Sequence, residues 1–351
     1  MKKKFFRIAQ ITLYGYLFIM TCNAQGDKKN GRQKHTISFS NFNTGESSIE
    51  ECNKVIELNS KDTFAFKKRG HLKSLNKDYF GAIEDYNQAL NLNSIDDEAY
   101  VGRGTTRWWS KDYIGAIEDC NNAIRLNANN CAAYETKANV EFAIKKYTEA
   151  ITDFSRTIDC FPKDDTLTLW LAYEGRGDSK TEILDYYGAI EDYNQAINYS
   201  GGNSSYTCRG YAKVSMKDYI GALEDFNKAI ELEGKYRNSS TYRGRGTAKA
   251  WLEDNRGAID DYTKAITINA NDATSYCNRG IAKCKLKNYK EAMADYSKAI
   301  QIAPKEGEFY WRRGLLKNKL GQKDSGCRDL SKAGELGFSD AYEDIKHLCN
   351  D

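Results

Sequence analysis

The sequence predicts an all-α solenoid, a stack of antiparallel helix pairs, and three observations carry that reading. A basic-small pair recurs at Arg69-Gly70, Arg103-Gly104, Lys137-Ala138, Arg176-Gly177, Arg209-Gly210, Arg245-Gly246, Arg279-Gly280 and Arg313-Gly314, at intervals of 34, 34, 39, 33, 36, 34 and 34 residues. Around each pair, apolar and small residues fall at spacings of three, four and seven, the period of helices buried along one face. Only two prolines, Pro162 and Pro304, interrupt 351 residues of which 40% are hydrophobic, so long helices are permitted and collagen-like or disordered classes are not.

The N-terminal segment has a basic start from Met1 to Arg7 and an apolar run from Ile8 to Met20 that is too short to span a bilayer. It reads as an export signal over residues 1–24. Two processing patterns fit: Cys22-Asn23-Ala24 suits cleavage before Gln25, and Ile19-Met20-Thr21-Cys22 resembles a bacterial lipoprotein box in which Cys22 is lipidated and anchors the chain to a membrane. Residues 25–45 are polar and suit a tether. The formal net charge is +3, but Lys2, Lys3, Lys4 and Arg7 lie in the signal, so the remainder is close to neutral. A near-neutral chain lacks the basic field of a nucleic-acid binder.

Residues 46–60 contain Ser47 to Leu58, which looks like the second helix of a unit without its first and suits an N-terminal cap. Eight full units follow over residues 63–340. In each first helix an aromatic stands three residues before the basic residue: Phe66, Tyr100, Tyr134, Tyr173, Tyr206, Tyr242, Tyr276 and Tyr310. In the second helix a small column (Ala82, Ala116, Ala150, Ala189, Ala222, Ala258, Ala292, Gly326) precedes a mostly aromatic one (Tyr86, Phe154, Tyr193, Phe226, Tyr262, Tyr296). Turns such as Asn76-Lys77-Asp78 join the helices, and Asp78, Asp112, Asp185 and Asp218 occupy N-cap positions. Five extra residues, Asp165 to Leu169, lengthen the junction before the fourth unit and suggest a bend or protruding loop. Residues 341–351 form a C-terminal cap helix, since the last unit of a solenoid needs a cover.

The pattern aromatic-x-x-x-Gly, then Tyr-x-x-Ala-x-x-x-aromatic-x-x-Ala, resembles the tetratricopeptide repeat. The resemblance covers Thr63 to about Asp340 and departs from the family at Arg, where Leu is usual, and at Lys, where Tyr is usual. It implies a right-handed superhelix whose first helices line a concave face, and a role in binding a protein or peptide partner. Trp108, Trp109, Phe142, Tyr211 and Trp251 are then the candidate partner contacts, as aromatics on a groove are the usual anchors. Lys67, His71 and Gly102 do not reproduce the Lys, Asn and Asn by which some members grip chaperone C-termini, so that activity is not implied.

Each basic residue of the recurring pair has an aspartate sixteen residues on, Asp85 to Asp329, which suits structural ion pairs between helices better than a polyionic strip. A second basic column (Lys73, Arg107, Lys180, Lys213, Lys249, Lys283, Lys317), broken by Glu141, reads as aliphatic stems with solvated heads. The ten cysteines show no regular framework; most read as small core residues, and Cys277 and Cys284, the nearest to a pair, sit too far apart on one helix. Arg176-Gly177-Asp178-Ser179 and Gly244-Arg245-Gly246 fall inside predicted helices, where neither an adhesion loop nor a phosphate loop forms. Three histidines, His35, His71 and His347, and no recognisable catalytic or metal motif leave no basis for an enzyme, a metal or a cofactor. The expected function is a non-catalytic scaffold in the bacterial cell envelope, periplasmic or associated with the outer membrane, that binds a partner segment in its groove. The alternative is an architectural subunit that uses its convex face or its ends.

Overall fold

The computed structural model describes residues 46–200, 202–234 and 238–349. The export signal, the tether and Cys22 lie outside the described residues. Among those described, every regular element is a helix. The helix α1 (Glu46–Leu58) precedes eight pairs. These are α2 (Thr63–Leu75) with α3 (Tyr79–Leu92), α4 (Asp97–Trp109) with α5 (Tyr113–Leu126), α6 (Cys131–Ala143) with α7 (Tyr147–Cys160), and α8 (Thr166–Glu182) with α9 (Tyr186–Ser200). Then come α10 (Asn203–Ser215) with α11 (Tyr219–Leu232), α12 (Ser239–Trp251) with α13 (Asn255–Ile268), α14 (Ala273–Lys285) with α15 (Tyr289–Ile302), and α16 (Gly307–Lys319) with α17 (Lys323–Glu335). A last helix, α18 (Asp340–Leu348), covers α17. The chain divides into two compact units after Ser200, the first holding α1 to α9 and the second α10 to α18. Within each, helices pack against their sequence neighbours, and first helices also touch the first helices of adjacent pairs.

Local chemistry fixes the helix ends. Asp78, Asp112, Asp185, Asp218 and Asp254 each accept a hydrogen bond from the backbone N–H of the glycine three residues on, as an N-cap should. The residue before each of these caps turns the chain with a left-handed backbone, and it is not glycine: Lys77 has φ 65° and Lys111 φ 70°. Such a conformation costs an ordinary residue about 1–2 kcal/mol. A short turn between two packed helices leaves no alternative geometry.

Aromatic rings of the second helices explain the recurring glycines. A Cβ added at Gly280 would stand 2.7 Å from the Tyr296 ring, and one at Gly210 would stand 2.9 Å from Phe226. The second-helix alanines are fully buried beside them, so a larger side chain there has nowhere to go.

The aspartate column is buried, and it is paired twice in most units. Arg279 donates through Nε and Nη2 to Asp295 at 2.9 and 2.7 Å, and Lys283 reaches the same carboxylate at 2.7 Å. The arrangement recurs as Arg69 and Lys73 on Asp85, Arg103 and Arg107 on Asp119, Arg176 and Lys180 on Asp192, Arg209 and Lys213 on Asp225, Arg245 and Lys249 on Asp261, and Arg313 and Lys317 on Asp329. The expectation of solvated heads in the second basic column is therefore corrected: a buried carboxylate with two free oxygens draws both cations in. Each arginine also lies over the aromatic three residues before it, as Arg103 does over Tyr100 at 5.4 Å. Arg103 further donates through Nη1 to Asn87 of the preceding second helix, at 2.5 Å.

Two further expectations change. Disulfides join Cys131 to Cys160 and Cys327 to Cys349, with Cα atoms 5.6 and 5.7 Å apart. The first closes the open end of one helix hairpin, and the second ties the end of α18 to α17. Cys52, Cys120 and Cys277 are buried free thiols, as read from the sequence. The extra residues at Asp165–Leu169 form no loop: Asp165 caps α8 by accepting from Thr168 N, and the insertion adds a turn to that helix, which runs 17 residues where α4 has 13.

Candidate partner-binding cleft

The first helices of three consecutive pairs in the first unit border a cleft. His71 comes from α2, Thr105 and Trp109 from α4, and Glu135, Thr136 and Asn139 from α6, with Tyr86 of α3 at the base. Their positions follow from helical phase, since residues one turn apart on a first helix point the same way. Gly102 supplies the depth: a Cβ there would stand 2.4 Å from the Tyr86 ring, so α4 approaches α3 only because this residue has no side chain.

The cleft is apolar with isolated polar groups. Burial pushes the His71 imidazole down to about 4, so it is neutral at physiological pH. Burial, and secondarily the charge of Asp165, push the Glu135 carboxyl up to about 8. Neither ionises readily, because the surroundings offer little solvation and, at Glu135, a second negative charge. The Trp109 indole N–H is buried without a hydrogen-bond acceptor.

The five aromatics named from the sequence differ in their surroundings. Trp109 borders the cleft and stands 6.5 Å from the Tyr79 ring. Its neighbour Trp108 touches the same cleft but is only 7% exposed and packs with Ala116 and Val140. Phe142 packs on the core around Phe154 and meets Tyr147 edge-on at 5.6 Å. In the second unit Tyr211 is a packing residue: its ring is edge-on to Phe226 at 5.3 Å and its hydroxyl donates to Ser240 O at 2.6 Å. Trp251 is the exposed one, at 63%, and stacks flat on Tyr219 at 5.6 Å. Helical phase separates these cases. Adjacent residues such as Trp108 and Trp109 lie about 100° apart around the axis, so Trp108 is mostly core and Trp109 the more open of the two at the cleft. Sequence reading missed Glu135 and Asn139, whose columns mix charged, polar and apolar residues from unit to unit and so give no repeating signal.

Among the described residues no group of three His, Cys, Asp or Glu side chains is placed to hold a metal ion, and no helix is long and apolar enough to cross a membrane. Arg176-Gly177-Asp178-Ser179 lies inside α8, where Asp178 accepts from the Tyr193 hydroxyl at 2.8 Å. Gly244-Arg245-Gly246 lies inside α12.

Residues 273–306, the pair α14 and α15 with its following turn, match the tetratricopeptide repeat family. None of the curated proteins matches the sequence. A tetratricopeptide repeat protein from Parabacteroides merdae ATCC 43184 superposes with a TM-score of 0.57 at 21% identity, over 72% of this chain and 96% of that one. A chain of the APC/C hetero-tetramer Cut9-Hcn1 superposes with a TM-score of 0.58 at 14% identity, over 76% of this chain. This chain spans about half, 52%, of the length of that one. At these identities the likeness is one of fold. Such repeats form scaffolds that bind protein or peptide partners and are generally not catalytic. The chain thus carries a match to the tetratricopeptide repeat at residues 273–306 and shares with tetratricopeptide-repeat proteins a fold of stacked helix pairs, eight of them among the described residues.

Proposed function

We propose that the chain is an exported, non-catalytic scaffold that holds a segment of a partner protein in the cleft between α2, α4 and α6. The observation that carries this reading is the cleft itself: three first helices converge on an apolar depression walled by Trp109, with an unpaired indole N–H and few polar groups. That is the make-up of a recognition site. A selection of random twelve-residue peptides on the full chain tests it. Enriched peptides should bind Trp109→Ala at least tenfold more weakly, and undiminished binding by the folded variant would sink the groove reading.

Export to the cell envelope, periplasmic or at the outer membrane, is supported by the N-terminal signal and by two disulfides, which persist in oxidising compartments. Mass measurement of the mature chain separates a start at lipidated Cys22 from one at Gln25. An intact Met1 start would overturn export. The architectural alternative is disfavoured at the C-terminal end, where α18 covers α17 and is tied down by Cys327–Cys349.

A further inference from the structure

The first helices carry a charge arrangement that repeats in two places and is inverted in a third. In the first, Lys67 of α2 reaches forward to the N-terminus of the next first helix, where its ammonium pairs with Asp96 at 2.9 Å and Glu98 at 2.8 Å. Asp96 is the N-cap of α4. In the second, Arg243 of α12 holds Asp272, the N-cap of α14, at 2.6 Å. Lys67 and Arg243 stand at the same place in the repeat, two residues before the basic residue of the recurring pair. In the third unit that place is taken by Glu135, and the N-cap of the next first helix, α8, is again an acid, Asp165. Two carboxylates thus take the places across α6 and α8 where the other two junctions hold a cation against an acid, and the Asp165 charge acts on Glu135.

Glu135 also borders the cleft beside Trp109, and among the described residues it has no ion-pair partner. We infer that the missing cation comes from the partner: the cleft takes a segment bearing a lysine or arginine, whose charged end sits at Glu135 in the role Lys67 and Arg243 play inside the chain, and whose stem lies along Trp109. This inference rests on the groove reading. The raised carboxyl of Glu135 is what an acid lacking its cation shows, and a bound ammonium or guanidinium would restore its charge. The methylenes of a lysine or arginine suit an apolar wall, and a guanidinium stacks on an indole face. Chemistry of the opposite sign fits poorly, because an acidic side chain would add a third carboxylate to Glu135 and Asp165.

The peptide selection above provides the test, with Glu135→Gln and Glu135→Lys carried beside the unchanged chain. Peptides enriched on the unchanged chain should share a lysine or arginine. Replacing that residue by alanine, or Glu135 by glutamine, should weaken binding at least tenfold and flatten its dependence on salt. Glu135→Lys, which installs the cation as Lys67 does, should abolish selection of basic peptides and raise the thermal midpoint of the unliganded chain. Enriched peptides that need Trp109 but carry no shared basic residue, or that bind Glu135→Gln undiminished, would overturn the cation while leaving the groove. No enrichment at all would overturn both.

Discussion

The seventh pair, α14 and α15, and the third, α6 and α7, are built on one pattern and stabilised differently. In the seventh, Gly280 admits the Tyr296 ring and Asp295 is clamped by Arg279 and Lys283. In the third, Lys137 stands for the arginine, Ala138 for the glycine and Glu141 for the second cation. Lys137 alone faces two buried carboxylates, Asp153 at 2.9 Å and Glu141 at 3.7 Å. The Cys131–Cys160 disulfide joins the ends of the same two helices. The pair that matches the family thus relies on its ion triad, and the pair that departs from it relies on a covalent tie. The departing pair is also the one that presents Glu135 to the cleft, so the proposed recognition chemistry falls where the repeat is least regular.

The contrast is sharpened first by removing the aspartates. Asp295→Ala leaves two cations without their buried partner and should cost about 3–5 kcal/mol in urea unfolding followed by circular dichroism. Asp153→Ala removes one of two competing acids and should cost about 1 kcal/mol or less; an equal loss at both sites would break the comparison. Cys131→Ser should come next, at about 2–4 kcal/mol, with faster hydrogen exchange confined to α6, α7 and their neighbours. Exchange in α14 and α15 should stay as it was.

A smaller gain is expected from Glu141→Lys, which rebuilds the triad of the other pairs on Asp153 and should stabilise by about 1 kcal/mol. The smallest effect is pH dependence. Burial, then the Asp153 charge, push Glu141 up to about 7, so the folded third pair binds a proton that the unfolded chain has released above the ordinary glutamate range. That contribution to stability is full below the unfolded value and is lost as pH rises from there to about 7. The thermal midpoint should fall by about 2–4 °C across that window relative to Glu141→Gln, in which the contribution is absent. A difference that grows with rising pH in favour of the unchanged chain would refute the assignment.

The number of helix pairs, their order and the caps Asp78, Asp112, Asp185 and Asp218 were legible in the sequence, because a feature repeated eight times separates itself from chance. Features that occur once were not. Glu135 gives no signal of its own in the sequence, since its meaning depends on the placement of Asp165. Cys131 and Cys160 belong to no regular framework among the ten cysteines, and their pairing follows from the hairpin instead. A spacing of 29 within one repeat joins the start of a first helix to the end of its second, and those ends are neighbours in any antiparallel pair. The second basic column was misread because lysine stems do pack as expected, and only the burial of the aspartates decides where the heads go.

The recurring arginine has a consequence for how such a chain can change length. Besides its own aspartate it holds a small polar group on the preceding second helix: Asn53 for Arg69, Asn87 for Arg103, Ser155 for Arg176, Asn227 for Arg245, Thr263 for Arg279 and Ser297 for Arg313. These acceptors differ in name but each offers an oxygen to the same guanidinium. These six junctions therefore speak one common dialect, and a gene that gained or lost a stretch encoding one such repeat would find the new neighbours already able to bond. Duplication and deletion in register are tolerated by the same side chains that hold the present copies together.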